Sequence, residues 1–179
     1  YLVAELVDDA VLARRLEGGS YVTLRLKSSM YHRFHAPCDG RLDSVRRIAG
    51  DTWNVNPATL KVIERVFCRN ARAVLELGGA ADEGRITLVP VAAILVSSLR
   101  IHGLDQPLDA EYAGPAELRP KRFVRRGDEL GYFEHGSTII MFVPPGWYLD
   151  AGRTGGSIVR AGMPLFRRAP DRNIVDNCA

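Results

Sequence analysis

Gly136-Ser137-Thr138 holds the step in this chain best suited to chemistry on its own backbone, and Tyr31-His32-Arg33-Phe34-His35 far upstream offers two imidazoles to activate it. A serine hydroxyl is a weak nucleophile until a base takes its proton, which a neighbouring histidine can do. Ser137 Oγ could then attack the Gly136 carbonyl and turn the peptide bond into an ester by an N-to-O acyl shift. Loss of the serine α-proton would expel the upstream chain and leave dehydroalanine. Hydrolysis of that residue gives a pyruvoyl group at a new chain start, plus ammonia. Glycine before the serine helps, because it reaches unusual backbone geometry at low steric cost. Taken alone, Gly136-Ser137 would be a turn entering the apolar run at residues 139–143. The pairing with two histidines points instead to a self-processing enzyme.

His32 and His35 stand three apart, so a strand would send them to opposite faces, whereas a turn or helical arc could aim both into one cleft. Zinc is the competing chemistry, but no Cys, Asp or Glu stands at a tight ligand spacing and there is no H-E-x-x-H, so no metal is expected. Cys38, Cys68 and Cys178 are odd in number and far apart, which argues against a disulfide framework or a CxxC site. A reducing compartment is the simpler reading.

Several elements must bring these residues together. At 179 residues the chain suits one domain with a sizeable core. Its 46% apolar and 25% charged residues exclude disordered and fibrous classes. Apolar residues at helical spacing, Leu2, Val3, Leu6, Val7, Ala10 and Val11, end at Gly18-Gly19 and predict one amphipathic helix over residues 2–17. The period then changes to two over residues 21–27, a half-buried strand. Strand-like segments follow at residues 40–46, 71–77, 85–89, 94–101, 124, 130–133, 138–143 and 157–160, separated by turn residues. Asn56-Pro57 fits either a helix cap or a loop. The expected class is mainly β (α+β), a single antiparallel sandwich or barrel-like domain over residues 1–179 with one N-terminal amphipathic helix.

The formal charge of +3 permits an anionic membrane or a nucleic acid as partner without requiring either. Arg119, Lys121, Arg122, Arg125 and Arg126 surround Pro120 and Phe123; a solvated strand edge is the plainer reading, and contact with phosphate head groups the functional one. The apolar run at residues 88–96 is too short to span a bilayer, and no secretory signal is visible. The first residue is Tyr, which suggests a domain shortened at its N-terminus. Phe142, Trp147 and Tyr148 are candidates for interfacial aromatic contact, with core packing favoured for Phe142.

The chain resembles the phosphatidylserine decarboxylases. The resemblance is carried by Tyr31-His32-Arg33-Phe34-His35-Ala36-Pro37, Trp53-Asn54-Val55-Asn56-Pro57, Phe67-Cys68-Arg69-Asn70, Gly127-Asp128-Glu129-Leu130-Gly131-Tyr132-Phe133 and Gly136-Ser137-Thr138, in the family's order. It implies cleavage between Gly136 and Ser137, a pyruvoyl cofactor derived from Ser137, and a β chain ending at 136 with an α chain starting at 137. It also implies that His35 activates Ser137 during self-cleavage and that His32 serves decarboxylation, returning a proton to the substrate carbon after carbon dioxide leaves. The implied substrate is phosphatidylserine, the product phosphatidylethanolamine, and the site of action an anionic membrane surface, peripherally at the cytoplasmic face of the cell membrane. Nucleic acid is not expected as a partner, and a homodimer is compatible with the pattern.

Two departures stand out. The aspartate that pairs with the self-cleavage histidine in the family comes from a segment upstream of the part matched, and Asp8 and Asp9 are not given its role. Glu134-His135 also stands where many members carry small or apolar residues. A decarboxylase of a free amino acid and a non-catalytic β module that binds anionic lipid are the alternative functions. The Gly162-Met163-Pro164-Leu165 ending suggests a carrier-type hybrid barrel by fold analogy alone.

Overall fold

The computed structural model describes residues 2–79, 84–93, 99–108, 111–134 and 136–168. In chain order the elements are α1 (Val3–Val7), α2 (Ala10–Arg15), β1 (Ser20–Leu26), β2 (Arg33–His35), β3 (Gly40–Ile48), α3 (Pro57–Val62), α4 (Val66–Arg69), β4 (Arg72–Gly79), β5 (Arg85–Val91), β6 (Leu99–Ile101), β7 (Glu117–Leu118), β8 (Arg122–Val124), β9 (Glu129–Phe133), β10 (Ser137–Val143), β11 (Trp147–Leu149) and β12 (Phe166–Arg168). The large sheet runs β1-β10-β5-β4-β3-β7, with β8 also paired to β3. A second sheet is β2-β9-β6, and β11-β12 form a hairpin of their own. All these strand pairs are antiparallel, so the mainly β, antiparallel expectation holds.

The two larger sheets enclose the main core. Phe34, Leu99, Leu130 and Phe133 from the small sheet meet Leu42, Leu75, Leu88, Ile139 and Met141 from the large one. Alternate residues of the large sheet point the other way, where Val74, Val89, Ile140 and Phe142 bury Leu6, Leu12 and Phe67 of the helices. With both faces covered, β10 is buried along its whole length, which is why its sequence is a continuous apolar run and not an alternating one. Phe142 is accordingly a core residue.

The helix expected over residues 2–17 is two helices. Asp8 adopts a left-handed φ of 49° and closes α1, and Asp9 then caps α2, its Oδ1 accepting from the Val11 and Leu12 backbone N–H groups at 2.8 and 2.9 Å. Short acidic side chains that bond the local backbone compete with helix continuation, and the break rephases the apolar stripe. Leu12 is buried and Val11 exposed. Asn56 does cap a helix, accepting from Thr59 N. Residues 157–160 are not a strand. Two turns, closed by Ser157 N to Thr154 O and Met163 N to Arg160 O, flank them and offer no strand edge, and β11 pairs with β12 instead. Of the segment 94–101, residues 94–98 lie outside the described residues, and β6 is the rest.

Buried Arg72 fastens the helices to the large sheet. Its guanidinium donates to four carbonyls, Leu6 and Glu5 of α1 and Cys68 and Asn70 of α4 and its cap, at 2.6–2.8 Å. Burial pushes its pKa down, but the four acceptors give the charge a dense shell of partners. Arg72→Met keeps the aliphatic stem and strands those carbonyls. We expect a loss of about 3 kcal/mol and a fall in Tm on the order of 10 °C, measured by thermal and urea unfolding.

Candidate active site

Ser137 opens β10 with its side chain almost fully buried, between Leu26 at the end of β1 and Val91 at the end of β5. Its hydroxyl donates to the Val91 carbonyl. Gly136 is pressed onto the chain leaving β1: a Cβ there would meet Leu26 O at 2.5 Å, Ser28 N at 2.6 Å and the Lys27 carbonyl carbon at 2.8 Å. Glycine is therefore required at this position by close backbone approach, a constraint separate from the conformational freedom noted in the sequence.

The same backbone holds His32. Its Nε2 lies 2.9 Å from Lys27 O, and the His32 carbonyl accepts from Phe133 N at 3.0 Å. A carbonyl can only accept, so Nε2 carries a proton, and in the neutral ring Nδ1 is the bare nitrogen. His32 is thus anchored to the backbone that packs on Gly136, with Nε2 committed and Nδ1 able to take a proton.

His35 is placed differently. Phe34 and Ala36 enter the main core, which leaves Arg33 and His35 on the outer face of β2. The His35 ring stacks on Tyr31 with centroids 5.7 Å apart, and Nε2 is 3.1 Å from the Tyr31 hydroxyl. The structure thus ties His32 to the Lys27 backbone that packs on Gly136, while His35 meets Tyr31 and the serine hydroxyl meets a carbonyl. His135 lies outside the described residues.

Residues without an assigned role in the sequence complete this end of the sandwich. Asn70, fully buried, accepts from Trp53 N at 3.0 Å and donates to Trp53 O at 2.7 Å and Ala92 O at 2.8 Å. It ties the loop before α3 to the strand end that receives the Ser137 hydroxyl. On the outer face of the small sheet, Glu129 Oε1 lies 2.6 Å from both His102 Nε2 and Arg33 Nη1. The motifs flagged Trp53, Asn70 and Glu129 by position; His102 carried no signal, because only the β6–β9 pairing brings it to Glu129.

The hydrogen bond from His102, followed by that from Arg33, holds the Glu129 carboxyl below the usual carboxylate range. A depressed folded pKa contributes stability that is fully present above the unfolded carboxylate value and is lost as pH falls through the folded one. The urea midpoint should therefore drop as pH is lowered through and below the ordinary carboxylate range, and Glu129→Gln should flatten that part of the profile.

Two other candidate surfaces lie elsewhere. The basic strip around β8 sits where Gly40 pairs with Val124 and Gly79, the end of the large sheet away from Ser137. Trp147 packs partly buried against the main core at that same far end, its carbonyl accepting from Ser20 Oγ, and Tyr148 beside it is exposed. Among the described residues no helix is long and apolar enough to cross a membrane, and Cys68 is a free thiol.

The fold and site together define a two-sheet antiparallel protein with a close-packed Gly–Ser step at the head of a fully buried strand, next to the edge strand β1, and a histidine loop folded against it. A family model described as phosphatidylserine decarboxylase matches residues 1–167, and the chain belongs to that family. The phosphatidylserine decarboxylase proenzyme of Methylibium petroleiphilum is 39% identical over 166 residues, covering 88% of this chain and 56% of its own length. That of Polaromonas sp. strain JS666 is 34% identical over 168 residues, covering 90% and 58%, and that of Anaeromyxobacter sp. strain K is 35% identical over 173 residues, covering 92% and 60%. The chain spans somewhat more than half the length of these relatives.

Proposed function

We propose that this chain carries the reactive part of a self-processing decarboxylase acting on phosphatidylserine, with cleavage between Gly136 and Ser137 and a pyruvoyl group made from Ser137. The observation that carries the reading is the position of the step, at the head of β10, with Gly136 against the Lys27 backbone that also anchors His32. The surroundings fit such a group. Thr138–Val143 are paired to β1 on one side, and most of that run to β5 on the other. A chain beginning at residue 137 would thus stay docked between strands of the preceding fragment. When present, the pyruvoyl carbonyl would withdraw the electrons released as the substrate carboxylate departs.

The remaining tasks fall to side chains of this chain. The Ser137 hydroxyl donates to a carbonyl that cannot take its proton, so processing needs a base and a turn of Oγ away from Val91. His35 is proposed for that role on the family resemblance, which requires its ring to leave Tyr31. His32 is proposed to take a solvent proton at the bare Nδ1 and return it to the substrate carbon after carbon dioxide leaves. The products are phosphatidylethanolamine and carbon dioxide, formed at an anionic membrane surface.

Intact mass of the full-length protein under denaturing conditions tests the first half. Two fragments meeting at residues 136 and 137 are expected, the second lacking an ordinary amino terminus. Release of carbon dioxide from phosphatidylserine vesicles, but not from free serine, tests the substrate. A single uncleaved chain without decarboxylation overturns the proposal.

A further inference from the structure

The end of the sandwich that holds Ser137 also carries apolar side chains that the described residues leave exposed. The six residues of α3 bury none of their side chains, and Val62 is 82% exposed, with Leu60 beside it. The preceding loop presents Trp53, 43% exposed, with its ring under Arg69. The loop between β1 and β2 adds exposed Met30 and Tyr31. The Trp53 loop and the start of the β1–β2 loop are tied to the head of β10, and α3 follows the Trp53 loop directly in the chain. Asn70 bonds Trp53 and Ala92, Val91 receives the Ser137 hydroxyl, and Lys27 lies against Gly136. Lys27 and Lys61 interleave with the apolar residues, both exposed and without an ion-pair partner among the described residues.

A short helix with nothing buried gains little from the fold for its Leu and Val, so their conversion to an interfacial contact costs no core packing. Trp and Tyr rings settle at head-group depth, and lysines with long apolar stems keep their charge among anionic head groups. The far end of the sheet has exposed Phe123 and Tyr148, but there the reactive step would face away from the lipid.

We infer that α3, the Trp53 loop and the β1–β2 loop form the surface that docks on an anionic bilayer, setting the Ser137 end of the sandwich against the head groups. The choice of a bilayer as partner rests on the lipid substrate proposed above. The test is independent of catalysis because it uses a lipid the enzyme is not proposed to turn over. The chain contains two tryptophans, Trp53 at the docking end and Trp147 at the other. Trp147→Phe and Trp53→Phe each leave one reporter. Each protein is mixed with vesicles of phosphatidylcholine and phosphatidylglycerol, with and without bromine on the acyl chains.

Trp53 emission should lose on the order of half its intensity in brominated vesicles, as expected for a ring at the head-group boundary, and Trp147 emission should not change. Leu60→Asp with Val62→Asp should lower vesicle partition about tenfold, while the thermal midpoint and the fragment masses stay as in wild type. Trp53 left unquenched on vesicle-bound protein, quenching of Trp147 instead, wild-type partition of the double variant, or no binding to the anionic vesicles would each overturn the inference. Fragment masses read on the same samples report separately on the proposed processing.

Discussion

Ser137→Ala should give a protein that folds, remains a single chain and releases no carbon dioxide from phosphatidylserine. Alanine keeps the Cβ and the backbone that pairs β10 with β1 and β5, so the ladder around residue 137 is retained. The substitution removes the hydrogen bond from Ser137 Oγ to Val91 O, worth about 1 kcal/mol net, and leaves one buried acceptor to find another donor. A Tm change of a few degrees is the scale that follows for a domain of this size. The loss of function has a different scale. Without Oγ there is no nucleophile for the Gly136 carbonyl and no precursor of the ketone, so processing and turnover vanish together, where a merely structural serine would leave both intact. Intact mass, thermal unfolding and carbon dioxide release on one preparation separate the cases. A Ser137→Ala protein that still splits after Gly136, or turns over phosphatidylserine at the wild-type rate, sinks the assignment of this residue.

Much of this site was legible because its motifs encode local backbone demands. Gly136 stands where no Cβ fits, Asn56 caps α3, and Asn70 fills a buried position with three backbone hydrogen bonds. Each demand selects one residue type, so the type shows in sequence. Period also worked where burial alternates, as in β1, whose residues alternate between exposed and half-buried. It failed where a local bond overrode it: the apolar stripe of residues 2–11 runs through Asp8 and Asp9, yet Asp9 bonds its own backbone and breaks the helix. Long-range partners were hidden for another reason. The β11–β12 pairing and the meeting of His102 with Glu129 depend on which strand edges come together. Nothing in the residues at 166–168 or at 102 states that locally. The outward position of His35 is of the same kind, set by which residues of β2 the core takes.

Substitution of the two histidines should split what Ser137→Ala removes at once. His32→Ala is expected to process normally and then to turn over phosphatidylserine roughly 10²–10⁴-fold more slowly, the usual range for losing a positioned proton carrier. The deficit should appear in kcat and not in KM, because the proton reaches the substrate carbon only after binding is complete. The geometry argues for this division. His32 Nε2 is tied to Lys27 O, part of the backbone that packs on Gly136, which leaves Nδ1 bare. The Nε2–Lys27 bond lies wholly within residues 27–32, so it would not depend on the bond between residues 136 and 137. His35→Ala should instead accumulate the uncleaved chain, and whatever fraction does cleave should have a normal kcat. Tyr31→Phe probes the same branch: it removes the hydroxyl 3.1 Å from His35 Nε2 but leaves the ring stack, so it should change the rate of cleavage without touching turnover of cleaved enzyme. If His32→Ala blocks cleavage and His35→Ala does not, the activating base is the histidine anchored to the Lys27 backbone, and the outward-facing ring of His35 belongs to the fold alone.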